Sequence, residues 1–265
     1  FARPLLAALD EAEALDNRYD LSSLKQIGSS GVMWSAEIKA GLLRHHDVIL
    51  NDIMGSTEGG MGGSITTRES KVDTAKFELN DGVTVITDDG RRVEAGSGEI
   101  GRVATSTFVP LGYYKDPEKS ASTFKEIDGV RYSFPGDYAT VAADGSINLL
   151  GRGSVCINTA GEKVFPEEVE EAVKRHSAIA DALVVGVPDE RFGERVVAVA
   201  SYKSDESCDA GALIDFTREH LSGYKVPKDV VFVEKVQRAP NGKADYKWAK
   251  KTALADAAQR SQGES

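Results

Sequence analysis

The sequence has 265 residues, of which 41% are hydrophobic and 28% are charged, as in an ordinary globular protein of about two domains. Lys and Arg total 32 and Asp and Glu total 42, and the net charge of -10 argues against a nucleic-acid partner or an anionic membrane surface. Only two cysteines occur and no apolar run approaches the roughly 20 residues of a membrane span, so we expect reduced thiols, a cytoplasmic location and no transmembrane segment.

The first 68 residues carry the pattern of a βαβ unit. Apolar residues at helical spacing predict an amphipathic helix over residues 4–15. A short apolar strand over 24–27 stops at a Gly-Ser-Ser-Gly loop, a second helix runs from its cap at Ser35 to about Arg44, and a buried strand follows over 47–54. Because such sheets bind ligands at the carboxyl ends of their strands, polar residues at those ends are candidate site residues.

Short strands dominate residues 69–152. The segments 83–86, 98–104 and 147–150 are typical of strands, Asp-Gly pairs mark turns between them, and one helix is expected over 117–124. We expect a small β-barrel-like subdomain.

Residues 153–252 carry a third pattern, that of a compact α+β domain. Pro166 favours the first turn of a helix, and two glutamates after it suit the helix dipole. The other expected elements are strands over 182–187, 195–201 and 229–233, a helix over 210–221, and a helix from about Asp245. Residues 253–265 are rich in Ala, Gln, Ser and Gly and predict a frayed tail.

The first polar cluster follows the second strand of the βαβ unit, at residues 55–60. Its small residues let backbone N–H groups approach a phosphate, Thr57 can donate a hydroxyl, and Glu58 can hold Mg²⁺. A flexible glycine loop without a ligand is the other interpretation. No Gly-Lys-Ser/Thr follows, so it is not a Walker loop.

The other three clusters also lie at strand ends or turns. Asp137 follows a Phe-Pro-Gly turn and can accept two hydrogen bonds from a ribose diol, although an Asx turn would look the same. A Gly-Arg-Gly-Ser segment starts at Gly151 and is followed by the stretch 161–170. Lys243 ends a Pro-Asn-Gly-Lys turn, where a solvated surface charge is the ordinary interpretation.

The order and spacing of these clusters resemble the motif series of the adenylate-forming superfamily, which includes acyl-CoA synthetases, luciferases and peptide-synthetase adenylation domains. The matching segments are Met54 to Glu58, Gly98 to Ile100, Gly112 to Tyr114, Pro135 to Asp137, Gly151 to Ser154, Pro166 to Glu170, Gly186 to Asp189, and Gly242 with Lys243. The stretch from Gly151 to Glu170 is especially similar to fatty-acid and steroid-side-chain CoA ligases of actinobacteria. The resemblance runs over essentially the whole chain.

The resemblance implies an α/β multidomain fold. Residues 1–68 would be the remainder of a large α/β subdomain, 69–152 the barrel-like subdomain, and 153–252 a mobile C-terminal α+β domain of the acyl-CoA synthetase type. It also implies an acid–thiol ligase that joins a fatty or steroid-side-chain carboxylate to the AMP part of ATP and then exchanges AMP for coenzyme A. The implied cofactors are ATP or AMP, Mg²⁺ and coenzyme A as a substrate.

Residue roles follow from the resemblance, position by position. Lys243 would be the catalytic cation that offsets the repulsion between carboxylate and polyphosphate. Glu58 would hold Mg²⁺, Ser154 would lie at the hinge, and Gly161 would line the approach of coenzyme A. The residues implied to bind nucleotide are Gly31, Val32, Asp52, Ile53, Met54, Thr57, Asp137 and Arg152, and those implied to border the acyl pocket are Gly59, Gly60 and Met61.

Several departures from the family pattern matter. Met54 replaces the aromatic residue that stacks on adenine, Pro135 replaces a threonine, and Ser154 replaces the hinge aspartate. The Ser/Thr/Gly-rich phosphate loop expected upstream is absent from this sequence, which starts at Phe1. We therefore expect the C-terminal half of such an enzyme, with the N-terminal half as its partner and negligible ligase turnover by the isolated chain.

Two alternatives remain open at this point. One is a peptide-synthetase-type adenylation domain, although no carrier domain follows Lys243 in the sequence. The other is a non-catalytic truncated remnant that binds nucleotide or partners. His45 and His46 are adjacent, but no further ligands lie at suitable spacing, so we expect surface histidines and no metal.

Overall fold

The structure is a computed structural model that describes residues 2–32 and 34–263; the predicted start at Phe1 and the last two residues of the predicted tail lie outside these ranges. Contacts divide the chain into two compact units, unit 1 (residues 1–150) and unit 2 (residues 151–265). Each unit has its own sheet and cores, so each is described by itself.

The predicted βαβ unit is present in unit 1. Helix α1 (Ala2–Ala14) is followed by β1 (Gln26–Ser30), α2 (Ala36–His45) and β2 (Ile49–Ser56), and β1 and β2 pair in parallel. Ser35 caps α2 by accepting a hydrogen bond from the Ile38 amide. The predicted loop after residue 27 is wrong, because β1 continues through Ser30; the short polar side chains of this segment did not prevent it from pairing with β2.

The predicted glycine loop is also mostly strand. Strand β3 (Gly59–Thr66) pairs antiparallel with β2, so residues 57 and 58 form the two-residue turn of a β-hairpin. Its glycines allow neighbouring backbone to approach closely: a Cβ at Gly62 would lie 2.2 Å from the Glu78 carbonyl oxygen. Glycine is required there by the position of the next strand.

The remaining strands of unit 1 extend the same sheet. They are β4 (Lys76–Leu79), β5 (Val83–Ile86), β6 (Gly101–Thr105), β7 (Phe124–Ile127), β8 (Val130–Ser133), β9 (Asp137–Val141) and β10 (Ile147–Arg152), with α3 (Pro117–Thr123) between β6 and β7. The sheet order is β1-β2-β3-β4-β10-β9-β6-β8-β7, with β5 on β6. The two ends of this order are unpaired among the described strands, so no barrel closes. A subdomain boundary at residues 68 and 69 stays a prediction, because β3 pairs with β4 across it.

Unit 2 is an α+β domain, as predicted. A short 3₁₀ helix (Gly153–Val155) leads to β11 (Ile157–Thr159), β12 (Glu162–Val164), α4 (Pro166–Lys174), β13 (Ile179–Asp189), β14 (Gly193–Tyr202), α5 (Ala210–Arg218), β15 (Asp229–Phe232) and α6 (Tyr246–Gly263). The order β12-β11-β14-β13 has β15 parallel to β14. Side chains of β13 alternate between two cores, Val184 with α4 and α5 and Val185 with α6. Both faces are covered, which explains the unbroken apolar runs.

The predicted frayed tail is wrong up to Gly263, because α6 continues to that residue. Ala253 is buried in the second core of unit 2, and Arg260 pairs with Asp256 at 2.7 Å and with Asp229 at 3.5 Å. These contacts order a segment whose composition alone indicated disorder. None of the helices in the described part of the chain is both long and apolar enough to cross a membrane.

The prediction of a surface histidine is also wrong for His45. The predicted surface histidine has a side chain only 7% exposed, and its Nε2 lies 2.6 Å from the Asp10 carboxylate of α1. It therefore links α1 to α2. The neighbouring His46 contacts the Leu24 carbonyl oxygen at 2.8 Å.

The two cysteines are free and half-buried in unit 2. Burial raises the pKa of the Cys156 thiol, and burial also raises the pKa of the Cys208 thiol. No disulfide joins them.

Candidate active site

The hairpin turn between β2 and β3 presents the first predicted site residues. Thr57 is exposed and Glu58 is half-buried. The Ser56 hydroxyl accepts a hydrogen bond from the Glu58 amide at 3.2 Å, which fixes the main chain of the turn. The turn thus holds Thr57 and Glu58 side by side.

Glu58 has a partner that the predicted site did not include. The Tyr113 hydroxyl donates a hydrogen bond to Glu58 Oε1, and Lys119 Nζ lies 4.1 Å from the centroid of the Tyr113 ring. Burial alone would raise the pKa of Glu58, but the Tyr113 and Ser56 hydrogen bonds and the Lys119 charge outweigh it, so this pKa is lowered. Glu58 is therefore held as a carboxylate.

Tyr113 is itself fixed by its own loop. Its amide donates to the Ser120 hydroxyl at 2.8 Å, and that hydroxyl donates to the Asp116 carbonyl oxygen at 2.6 Å. The Gly-Tyr-Tyr motif carried the resemblance, but 55 residues separate Tyr113 from Glu58, and no spacing rule connects them.

The implied adenine residues of β2 fall on two faces of the strand. Asp52 and Met54 are buried in the interior of unit 1, whereas Ile53 between them is 47% exposed on the other face. Gly31 has a positive φ of 79° just after β1, and Val32 is 47% exposed. The main chain at Gly31 and the side chains of Val32 and Ile53 are thus exposed, and the side chains of Asp52 and Met54 are not.

The Asp52 carboxylate forms an ion pair with a lysine. Lys39 Nζ lies 3.0 Å from Asp52 Oδ2, and the two side chains are 1% and 3% exposed. Lys39 also donates to the Asp73 carbonyl oxygen at 3.2 Å. Burial raises the pKa of Asp52, although the Lys39 charge opposes it. The Asp52 side chain is buried in this pair and is not open to a ligand, and a nucleotide contact at this position stays a prediction.

The three residues implied at the acyl pocket separate in the same way. Gly59 and Gly60 begin β3 beside the turn, but the Met61 side chain is fully buried in a core that contains Met54. Met61 therefore packs inside unit 1 and does not line an open pocket.

Asp137 and Arg152 start and end strands. Asp137 is the first residue of β9, is half-buried and follows a turn at Gly136. Arg152 is the last residue of β10 and is exposed. Both positions agree with strand ends, and their contact with a nucleotide stays a prediction.

The implied hinge and coenzyme A positions lie in unit 2. Ser154 is exposed in the short 3₁₀ helix. Ala160 and Gly161 form the turn of the β11–β12 hairpin, with φ values of 51° and 86°. A Cβ at Gly161 would have nothing within 4 Å, so the conformation and not the space favours glycine there.

Lys243 lies on a structured turn. The Ala239 amide donates to the Lys243 carbonyl oxygen at 2.9 Å, the Gly242 amide donates to the Ala239 carbonyl oxygen at 2.8 Å, and the Lys243 amide donates to Asn241 Oδ1 at 3.2 Å. The side chain is exposed and has no ion-pair partner among the described residues. The turn presents a free ammonium group.

Known protein families and proteins of similar sequence cover these positions. Residues 168–243, which end at this lysine, match the family described as the AMP-binding enzyme C-terminal domain. The 3-oxocholest-4-en-26-oate–CoA ligase of Rhodococcus rhodochrous is 48% identical over 94% of this chain and 46% of its own length. The resemblance to adenylate-forming CoA ligases is confirmed.

Other similar proteins agree. The medium/long-chain-fatty-acid–CoA/3-oxocholest-4-en-26-oate–CoA ligase of Mycobacterium marinum is 46% identical over 94% of this chain and 45% of its own. The amide bond synthetase McbA of Marinactinospora thermotolerans has a TM-score of 0.77 at 26% identity, covering 93% of this chain and 50% of that one. The chain spans about half the length of the curated relatives it matches.

Proposed function

We propose that the protein containing this chain is an ATP-dependent acid–CoA ligase, which forms an acyl-adenylate and then a coenzyme A thioester. The observation that carries this proposal is the exposed ammonium of Lys243 on a fixed turn at the end of the matched domain. A fatty or steroid-side-chain carboxylate is the proposed acid, because the relatives named above are ligases of such acids. The cytoplasmic location stays a prediction.

The chemical task of this lysine is electrostatic. A carboxylate and a polyphosphate repel each other, and negative charge accumulates where they meet. An ammonium that lies beside the reacting groups reduces that repulsion where the charge develops. We therefore assign Lys243 to adenylation, and we assign the exposed Gly161 turn and Ser154 to the approach of coenzyme A and to a hinge.

Nucleotide contacts are proposed for residues at strand ends and turns. Asp137 would accept hydrogen bonds from the ribose hydroxyls. Arg152 and Thr57 would contact the ribose or the phosphate, and Gly31 would border adenine. Val32 and Ile53 are the exposed apolar side chains near the same strand ends. Asp52 and Met54 would act indirectly, by fixing the strand that carries them.

Glu58 fits a magnesium ligand. Its carboxylate is held charged, and its Oε1 accepts a hydrogen bond from the Tyr113 hydroxyl. Mg²⁺ is commonly bound by one or two carboxylates together with substrate phosphates, so a cluster of acidic residues is not needed. When bound, the ion would neutralise phosphate charge.

The experiment uses the full-length protein and measures both half-reactions. Lys243→Ala should lower ATP–pyrophosphate exchange at least 100-fold, on the scale of a lost transition-state contact, and spare thiolysis of supplied acyl-adenylate. Lys247→Ala, which removes another exposed lysine one turn later, is the matched control. Equal loss of both half-reactions would contradict the role, and exchange without any thiolysis would favour a peptide-synthetase-type domain.

A further inference from the structure

Arg238 and Tyr246 flank the Lys243 turn, one on each side of it. Before the turn, Arg238 donates to both oxygens of Asp181, from Nε at 2.6 Å and from Nη2 at 2.7 Å. Its Nη1 also donates to the carbonyl oxygen of Gly242 at 3.4 Å. A planar guanidinium bound in this way fixes both position and orientation.

After the turn, Tyr246 is the first residue of α6, packs against the core that contains Val185, and interacts electrostatically with Glu170. Glu170 is buried on α4, and its Oε1 accepts from the Val184 amide of β13 at 3.1 Å. Burial and the nearby Glu170 and Glu167 charges raise the pKa of Tyr246 well above its usual range, so its hydroxyl keeps the proton.

The interaction partners of Arg238 and Tyr246 lie on neighbouring elements of unit 2. Asp181 and Val184 lie on β13, and Glu170 lies on α4, which packs against β13. The turn between Arg238 and Tyr246 otherwise has only short-range hydrogen bonds among its own described residues. Arg238 thus contacts the turn directly, and Tyr246 lies three residues after Lys243.

We propose that Arg238 and Tyr246 are positioning residues, which hold the turn so that Lys243 is presented in one place. The inference rests on the proposed role of Lys243 in adenylation. Neither residue belongs to the motifs that carried the resemblance, and neither contacts a substrate in this proposal. Their effect on the reaction is through the geometry of residues 239–244.

The first measurement is amide hydrogen exchange in the 265-residue chain. Tyr246→Phe and Arg238→Met should each speed exchange of the Ala239 and Gly242 amides about five- to fiftyfold, since losing a neutral or charged hydrogen bond costs about 1 to 2 kcal/mol.

Two matched controls lie in the same unit. Tyr202→Phe removes a hydroxyl that donates to the Cys208 carbonyl oxygen at 2.7 Å, and Arg195→Met removes an ion pair with Asp229 at 3.0 Å. Both controls should leave exchange in the turn unchanged. If Arg238→Met does not fold, Arg238→Lys keeps the charge but not the two-pronged geometry, and it should give a smaller increase.

The second measurement is the two half-reactions of the full-length protein. The same variants should lower the rate of adenylate formation about tenfold at saturating ATP and spare thiolysis, and they should add no further loss to Lys243→Ala. Unchanged exchange in the turn, or equal losses in both half-reactions, would overturn the inference. If Lys243→Ala itself spares adenylation, the proposed function fails, while the exchange data still report whether the turn is held.

Discussion

The Tyr113 hydroxyl donates a hydrogen bond to the Glu58 carboxylate across 55 residues of sequence. It joins the hairpin turn that carries Glu58 to the loop before α3, so the charge state of the proposed magnesium ligand depends on a side chain from another element. This relationship can be tested without any ligand.

Tyr113→Phe should raise the pKa of Glu58, because it removes one of the hydrogen bonds that lower it. A lowered carboxyl pKa stabilises the fold above the unfolded pKa, and that stabilisation is lost as the pH falls through the folded value. The variant should therefore be less stable than the parent by about 1 kcal/mol at pH 7 and nearly equal to it in acid. NMR titration of the Glu58 carboxyl carbon and urea unfolding check both points.

Tyr114→Phe is the control for this change, because Tyr114 is the next residue and is 86% exposed. The Tyr114→Phe variant should have the same Glu58 pKa as the parent protein. An unchanged Glu58 titration in Tyr113→Phe would show that the hydroxyl does not bind this carboxylate in solution.

Breaking the buried Lys39–Asp52 pair should destabilise the fold strongly, whereas replacing both residues with apolar ones should change its stability little. Lys39→Met leaves a buried carboxylate without its cation and should lower the free energy of unfolding by about 3 kcal/mol at pH 7. The loss should shrink toward pH 4, where protonation of Asp52 removes the unpaired charge. Lys39→Met with Asp52→Leu should recover most of the stability in urea unfolding; a double variant as unstable as the single one would contradict this interpretation.

Glu170 should make unit 2 less stable as the pH rises. Burial raises its pKa to about 7 from an ordinary value of 4.5, against the opposing charges of Lys174 and Arg238. The folded protein therefore holds a proton that the unfolded chain has lost, and the free energy of unfolding falls between these two pH values by at most about 3 kcal/mol.

The check is the difference in unfolding free energy between the parent and Glu170→Gln, measured from pH 5 to pH 8. The parent should lose stability relative to this variant as the pH rises, because glutamine cannot ionise. Glu168→Gln removes the neighbouring carboxylate, which pairs with Lys225 at 2.7 Å, and serves as the control. A constant difference across this range would contradict the assignment.

Gly62→Ala should destabilise unit 1, because its Cβ would lie 2.2 Å from the Glu78 carbonyl oxygen, and backbone must move to admit it. A cost of about 1 to 3 kcal/mol is expected from such overpacking. At Gly60 a Cβ would lie 3.6 Å from its nearest atom, a side-chain amide, so Gly60→Ala is the matched control. Thermal unfolding should separate the two variants, and equal losses would argue against the close approach.

Much of the fold was predictable because it rests on local patterns. The parallel pair around α2, the helix that begins at Pro166, and the alternating strands of unit 2 all follow from spacing and capping residues. The pattern predicted a turn at Lys243 and the structure has one there, whereas the catalytic role of this lysine stays a prediction.

What the sequence could not supply is side-chain contact between distant elements. Nothing in the spacing indicates that Lys39 neutralises Asp52 or that Tyr113 reaches Glu58. The glycines of β3 are unfavourable in strands, so a loop was the natural prediction, and pairing on both edges overrides that preference. The tail of α6 was misread for a similar reason, since Ala253 packs in a core with side chains of β13 and β14 and Arg260 pairs with Asp229 of β15.

The two half-buried cysteines have a practical consequence. Because the thiolate is the reactive form, raised pKa values at Cys156 and Cys208 slow alkylation near neutral pH. A cysteine introduced at the exposed Ser154 would react with a maleimide dye well before either of them. The protein is therefore suited to single-site fluorescence labelling at its proposed hinge without first removing its native thiols.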